Sequence, residues 1–244
     1  MTAITLGEVT IARVVEIGSS FNRTLDMLPD STPEAIARHD RWLRPHFFDE
    51  TVNDLGSRIQ TYLVRTPRHT VLIDTGVGND KARAASPAWH LRQGTYVFVG
   101  PEWEFWKWES ENGREASGCI ADSVLPIVEA GQALLVDSTH AVDPWLAFEP
   151  SPGHTPGHVS VRLTTTAGRA VFSGDVMHRT VQVAEPQWSS KFCYEPQRAA
   201  ETRRAFVEQH ADSGVLVLAA HFPRPGFIVR EAGEHRFTPT AEGF

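Results

Sequence analysis

The string Pro152-Gly153-His154-Thr155-Pro156-Gly157-His158 repeats a Pro-Gly-His step, and His154 stands between its two Pro-Gly turns. A metal-ligating imidazole needs a backbone held this firmly, because one ring nitrogen must face the ion while an acceptor fixes the other. Asp175 follows Ser173-Gly174 at the end of an apolar run, before Val176-Met177-His178. A carboxylate at such a sheet edge is costly to desolvate unless a cation or several donors compensate. His221 ends the apolar run 214–220 and opens Phe222-Pro223-Arg224-Pro225-Gly226. Three nitrogen and oxygen donors, each where a strand emerges into a loop, suit zinc, iron or manganese. Each residue alone has a plainer reading: a surface turn for the histidines, and a helix N-cap for Asp175.

The elements that would position these groups follow from residue patterning. Residues 8–17 read as an opening strand or hairpin closed by Gly18-Ser19-Ser20, and 58–64 and 70–73 as two strands joined by Thr66-Pro67-Arg68-His69. The second of these runs into Asp74-Thr75-Gly76-Val77-Gly78-Asn79-Asp80, where spaced glycines permit a tight path, although the spacing is not the dinucleotide fingerprint. Residues 146–148, 158–163, 170–172 and 214–220 are strand-like and precede or follow the three candidate ligands. Pro101-Glu102-Trp103-Glu104-Phe105-Trp106 begins a helix over 101–109, with Trp103 and Trp106 on one face, either packed on the core or lining a substrate wall. A short helix over 121–130 and a strand over 133–136 follow. Residues 21–50 form an aromatic arm over the body, with Trp42, Pro45, Phe47 and Phe48. In it Ser31-Thr32-Pro33-Glu34 offers a capping box for a helix over 35–39. No linker or repeat interrupts the chain, so residues 1–244 are expected to form one domain.

Bulk properties exclude several classes. With 41% hydrophobic residues in 244, there is enough to bury a core. Lys and Arg number 23 against 30 Asp and Glu, a formal charge of −7 without a basic stripe, which argues against a nucleic-acid partner. Neither a signal peptide nor a membrane-spanning run is expected. Cys119 and Cys193 show no CxxC spacing, so a reduced, cytoplasmic setting fits best, with one bridge as the alternative.

The order PGHTPGH, then SGD after a strand, then a strand ending in His, with the IDTGVGND loop at 73–80, resembles the metallo-β-lactamase superfamily of metal-dependent hydrolases over nearly the whole chain. EWEFW, DSVLPIVEAG and GDVMH are similar to its branch of lactonases and organophosphate hydrolases. The resemblance implies an α/β fold, an αββα sandwich. It implies His154 as a ligand of the first metal, Asp175 as the carboxylate bridging two metals and His221 as the last histidine of the second. Asp74 and His158 would support them.

The family's HxHxDH motif is absent. It would fall on a strand between the IDTG loop and the strand at 95–99, so this strand and its helix are read as deleted, with 89–93 joined through Gly94 to Tyr96. His90 and His140 are the histidines that could be recruited in its place. The expectation is a metal-dependent hydrolase of an ester, lactone, thioester or phosphoester, impaired by this loss. It would carry at most one weakly held zinc or other divalent ion and act on a small molecule, away from membranes. An exposed sheet edge leaves room for a homodimer. The competing expectation is an inactive relative serving as a binding or structural protein.

Overall fold

The computed structural model describes residues 3–18, 22–74, 95–115 and 118–240. The expected turn at 75–80, His90 and the junction at 89–94 lie outside them. The chain opens with an antiparallel hairpin, β1 (Ala3–Leu6) and β2 (Val9–Ile17). The arm follows with α1 (Thr24–Met27), α2 (Pro33–Ala37), α3 (Asp40–Phe47) and the small ladder β3 (Phe48–Asp49) and β4 (Asp54–Leu55). The expected capping box is not the one formed. Thr32 caps α2 by accepting from the Ala35 amide at 3.1 Å, because Pro33 fills the first helical position and leaves the next donors to Thr32. Leu43 and Phe47 of α3 are fully buried in a core cluster, with the Phe47 ring 5.8 Å from that of Phe237.

Next come the hairpin β5 (Ile59–Arg65) and β6 (Thr70–Ile73), then β7 (Tyr96–Val99), α4 (Gly100–Glu111), a π-helical turn over Ile120–Val124, α5 (Leu125–Glu129) and β8 (Ala133–Val136). The expected helix at 121–130 is thus split into a π turn and a short α-helix around Pro126, whose ring cannot continue the upstream ladder. β9 (Leu146–Pro150), β10 (Val159–Thr164) and β11 (Arg169–Gly174) precede a 3-10 turn over Thr180–Val183. Then α6 (Pro196–His210) crosses to β12 (Leu216–Ala219), and the hairpin β13 (Gly226–Glu231) and β14 (Glu234–Pro239) closes the chain.

These strands form a four-stranded sheet in the order β1-β2-β5-β6 and a six-stranded sheet in the order β14-β13-β12-β11-β10-β9. Val9, Ile11, Tyr62 and Val64 from the first meet Leu146, Leu163, Phe172 and Leu218 from the second, so one core lies between stacked sheets. On the other face of the larger sheet, Val171 and Val217 pack against α3, α6 and the segment after β11, through Phe47, Phe206, Val207 and Met177. α4 rests on β7 and β8. The mixed architecture is the helix-flanked sheet sandwich expected from the sequence.

Among the described residues, β6 pairs only with β5, while β7 and β8 stand apart as a two-stranded parallel pair. Leu72 on β6 and Leu134 and Leu135 on β8 keep 45–46% of their surface in solvent.

Candidate metal centre

Topology brings the candidate ligands to one edge. β11 and β12 are parallel, so Asp175, just past β11, and His221, two residues past β12, emerge on the same side. β9 and β11 are both antiparallel to β10, so the loop leaving β9 with His154 opens on that side too. Side chains gathered at the C-terminal edge of such strands are the usual way an α/β sheet builds a site.

The double Pro-Gly-His string owes its form to close backbone approach. At Gly153, which has φ +129°, a Cβ would lie 2.3 Å from the Ala199 amide nitrogen of α6. At Gly157 it would lie 2.3 Å from the Glu102 nitrogen of α4. The His154 carbonyl accepts from the Tyr194 amide at 2.8 Å and the Gly153 carbonyl from the Glu195 amide at 3.0 Å, which ties the loop to the start of α6. Gly174 is likewise required, with φ +53° and room for no Cβ, since one would sit 2.7 Å from His158 Nε2.

Asp175 lies between two imidazoles. Its Oδ2 is 3.2 Å from His154 Nε2 and its Oδ1 is 2.8 Å from His221 Nε2. Oδ1 is buried and accepts no hydrogen bond, so the contact with His221 is close but misaligned. The imidazole of His221 is fixed from behind, its Nδ1 lying 2.8 Å from the Arg58 carbonyl. Burial opposes charge on Asp175, but the adjacent His221, His154 and His178 outweigh it and hold the carboxyl well below its usual range. Burial likewise opposes charge on His154, yet Asp175 and the neighbouring Cys193 raise it to about 10. His221 is also raised, Asp175 overcoming the effect of burial. The N-cap alternative for Asp175 is not realised, since a turn follows it and the next helical element starts at Thr180.

His158 does not face the carboxylate. Its Nε2 accepts from the Asp175 backbone amide at 3.0 Å, and its Nδ1 lies 3.0 Å from the Ser151 carbonyl and 2.8 Å from Ser151 Oγ. It therefore braces the backbone of Asp175 as a neutral imidazole, and burial pushes its pKa down to about 4. Asp74 ends β6 in the left-handed region at φ 59° and exerts an electrostatic pull on His221. His140 packs against Phe148, with ring centroids 6.1 Å apart, beside a cleft lined by Gly100, Pro101 and Asp137, outside the cluster. Cys119 and Cys193 are not bridged to each other.

Sequence reasoning passed over His178, the third imidazole of the site. It is 2% exposed, its ring lies 5.1 Å from His154 and 5.0 Å from His221, and burial lowers its pKa well below the usual value. Its amide and that of Arg179 both donate to Gln182 Oε1, at 2.7 and 2.9 Å. The buried Arg203 of α6 staples the same segment, donating from Nε to the Val176 carbonyl at 2.8 Å and from Nη1 to the carbonyls of Pro186 and Trp188 at 2.7 and 3.0 Å. The one sequence signal of His178 is its place three residues past Asp175, directly after the apolar Val176 and Met177.

The donor set fits a divalent cation. His178 Nδ1 and Asp175 Oδ1 are both buried without a hydrogen-bond partner, a costly state for polar atoms in one cluster and the state expected of groups arranged around an ion. One ligand atom each from His154, Asp175 and His178 lie within 4.8 Å of one another.

A stacked pair of sheets with helices outside and a histidine-carboxylate cluster at the strand ends defines a metallohydrolase-type α/β sandwich. The sequence profile of the Metallo-beta-lactamase superfamily matches residues 88–221, more than half of the chain, and the chain belongs to that superfamily of metal-dependent hydrolases. No curated protein matches it in sequence. Among solved structures it is similar to the hydrolase AbOPH of the beta lactamase superfamily, at TM-score 0.78 and 20% identity over 99% of this chain and 98% of that one. It is also similar to AidC, a dizinc quorum-quenching lactonase, at TM-score 0.77 and 17% identity over 100% and 98%. A probable metal-dependent hydrolase from Staphylococcus aureus aligns at TM-score 0.63 and 14% identity over 99% and 100%. At these identities the likeness concerns the fold. No helix among the described residues is long and apolar enough to cross a membrane.

Proposed function

We propose that the chain is a slow, metal-dependent hydrolase of a small ester, lactone, thioester or phosphoester, working from half of a two-ion centre. The observation that carries this reading is Asp175 held between His154 and His221 at 3.2 and 2.8 Å, with its Oδ1 buried and unsatisfied. The zinc lactonase and hydrolase neighbours support the reaction class. His154, Asp175 and His221 would hold one zinc or other divalent ion, with His158 bracing Asp175 from behind. Bound there, the ion would lower the pKa of a water and polarise the carbonyl or phosphoryl oxygen under attack. The Asp175 side chain keeps 30% of its surface in solvent, which leaves a way in for substrate and water.

The missing HxHxDH limits this chemistry, because the family draws most of its histidines and the acid that orients the attacking water from that motif. The retained residues bind and align; they supply no second acid. Turnover is therefore low. The site sits in a cytoplasmic, small-molecule setting rather than at a nucleic acid or membrane. Assay of lactones, aryl esters, thioesters and phosphotriesters with added zinc, manganese or cobalt tests the proposal. Turnover should require the metal and vanish on chelation and in His154→Ala. Robust turnover that survives both refutes it, and no metal-dependent turnover on any substrate class favours the inactive binding protein.

A further inference from the structure

We infer that Cys193 is a positioning residue for the metal centre: its sulfur, held by Arg203, accepts from the Nδ1–H of His154 and so turns Nε2 of that imidazole towards the ion. This rests on the proposed metal dependence and adds to it a residue that orients a ligand.

The backbone brings the thiol to the imidazole. The Tyr194 amide donates to the His154 carbonyl at 2.8 Å and the Glu195 amide to that of Gly153 at 3.0 Å, so Cys193 lies where this segment meets the His154 loop. Phe192 and Tyr194 on either side keep 50% and 52% of their surface in solvent, whereas Cys193 keeps 8%. The chain therefore turns its two aromatic rings outward and the thiol between them inward. From the protein side comes Arg203, fully buried on α6.

Two donors meet there. Nε and Nη1 of Arg203 are spent on the carbonyls of Val176, Pro186 and Trp188, and Nη2 is buried with no oxygen to donate to among the described residues. His154 is in the same position: Nε2 faces Asp175, and Nδ1 is buried with no oxygen acceptor among those residues. The Cys193 sulfur neighbours both side chains. Sulfur is a weak acceptor, but two buried N–H groups with no acceptor at all would be an uncompensated cost.

The arrangement suits a ligand. The bond from the Tyr194 amide fixes the His154 backbone and leaves the ring free to rotate. An acceptor at Nδ1 settles both its angle and its tautomer, as metal-bound imidazoles require. Arg203 also holds the Val176 carbonyl, one residue past Asp175, so one guanidinium steadies His154 and Asp175 together.

Chelator competition for zinc, with metal-free melting of each variant as the control for folding, tests the role without reference to turnover. Cys193→Ala should weaken zinc binding about 10–100-fold, the cost of losing a group that orients a ligand. Cys193→Ser keeps an acceptor and should recover most of that loss. In long-range proton–nitrogen correlation spectra of the zinc-loaded protein, the Nδ1 proton of His154 should be visible in the wild type and in Cys193→Ser and lost in Cys193→Ala. With cobalt(II) bound, no thiolate-to-metal charge-transfer band should appear. Zinc affinity unchanged in Cys193→Ala, alanine and serine variants equally weakened, an Nδ1 proton that survives in Cys193→Ala, a cobalt–thiolate band, or no metal bound overturns the inference. The expected affinity pattern with no hydrolysis refutes the hydrolase reading and leaves this one standing. Chelator-sensitive hydrolysis with affinity unchanged in Cys193→Ala does the opposite.

Discussion

Neutral His158 makes the metal-free protein acid-labile by an amount that can be worked out. Its Nε2 accepts from the Asp175 amide, so a proton there would set two donors against each other as well as bury a charge. Its folded pKa of about 4 lies below the ordinary value of 6.5. The unfolded chain therefore binds a proton that the folded chain refuses, and stability is lost as pH falls from 6.5 towards 4. Integrating between pH 7 and pH 4.5 gives a loss of about 2.5 kcal/mol from this residue. His154 and His221 are shifted upward and act in the opposite sense above pH 6.5, so they contribute little in this window. Urea unfolding with chelator present, at both pH values, on wild type and His158→Gln isolates the effect. The wild type should start more stable, and its advantage should shrink by about 2.5 kcal/mol at pH 4.5, a midpoint shift of about 1 M at a slope of about 2–3 kcal/mol per M. An advantage that stays constant to within about 0.5 kcal/mol between the two pH values refutes the reasoning.

Gly157→Ala forces a Cβ to within 2.3 Å of the Glu102 nitrogen, so the loop must shift; zinc affinity should fall at least tenfold in a chelator competition, while Gly18→Ala, whose Cβ would meet nothing nearer than 3.9 Å, should leave affinity unchanged. Arg203→Met strands the Val176 and Pro186 carbonyls and should lower stability by about 3 kcal/mol, read as a fall in Tm of about 6–12 °C. Elemental analysis after extensive dialysis should find at most one ion per chain, less below neutral pH; two retained ions would show that other ligands replace the missing motif. The exposed leucines of β6 and β8 should promote association, so Leu72→Lys should shift size-exclusion profiles toward smaller species and weaken dye binding.

Much of the fold was legible because period and punctuation agreed. The hairpin Ile59–Arg65 and Thr70–Ile73 alternates cleanly around Thr66-Pro67-Arg68-His69, and the apolar run ending before His221 is a buried strand. Gly153, Gly157 and Gly174 carried the site because only glycine fits there. α6 was missed, although it is the longest helix described. Its buried stripe, Ala199, Ala200, Arg203, Phe206, Val207 and His210, has helical spacing, but Arg203 and His210 disguise it as polar. His178 was missed for a related reason: no element marks it, and it is enclosed by Gln182 and two distant histidines, on a segment that Arg203 holds at Val176.

The contacts beneath Gly153 and Gly157 bear on how such a site diverges over evolutionary time. Both glycines touch main-chain atoms of α6 and α4, and the loop's carbonyls are held by amides at the start of α6. Every residue type except proline presents those same atoms. Substitutions can accumulate along the two helices without moving the imidazole of His154, whereas the glycines themselves admit none. The lineage is thus free to lose a motif elsewhere, change its surface and alter what it binds while this loop keeps its place. What is inherited there is a fit between backbones, and it should be among the last features of the fold to fade.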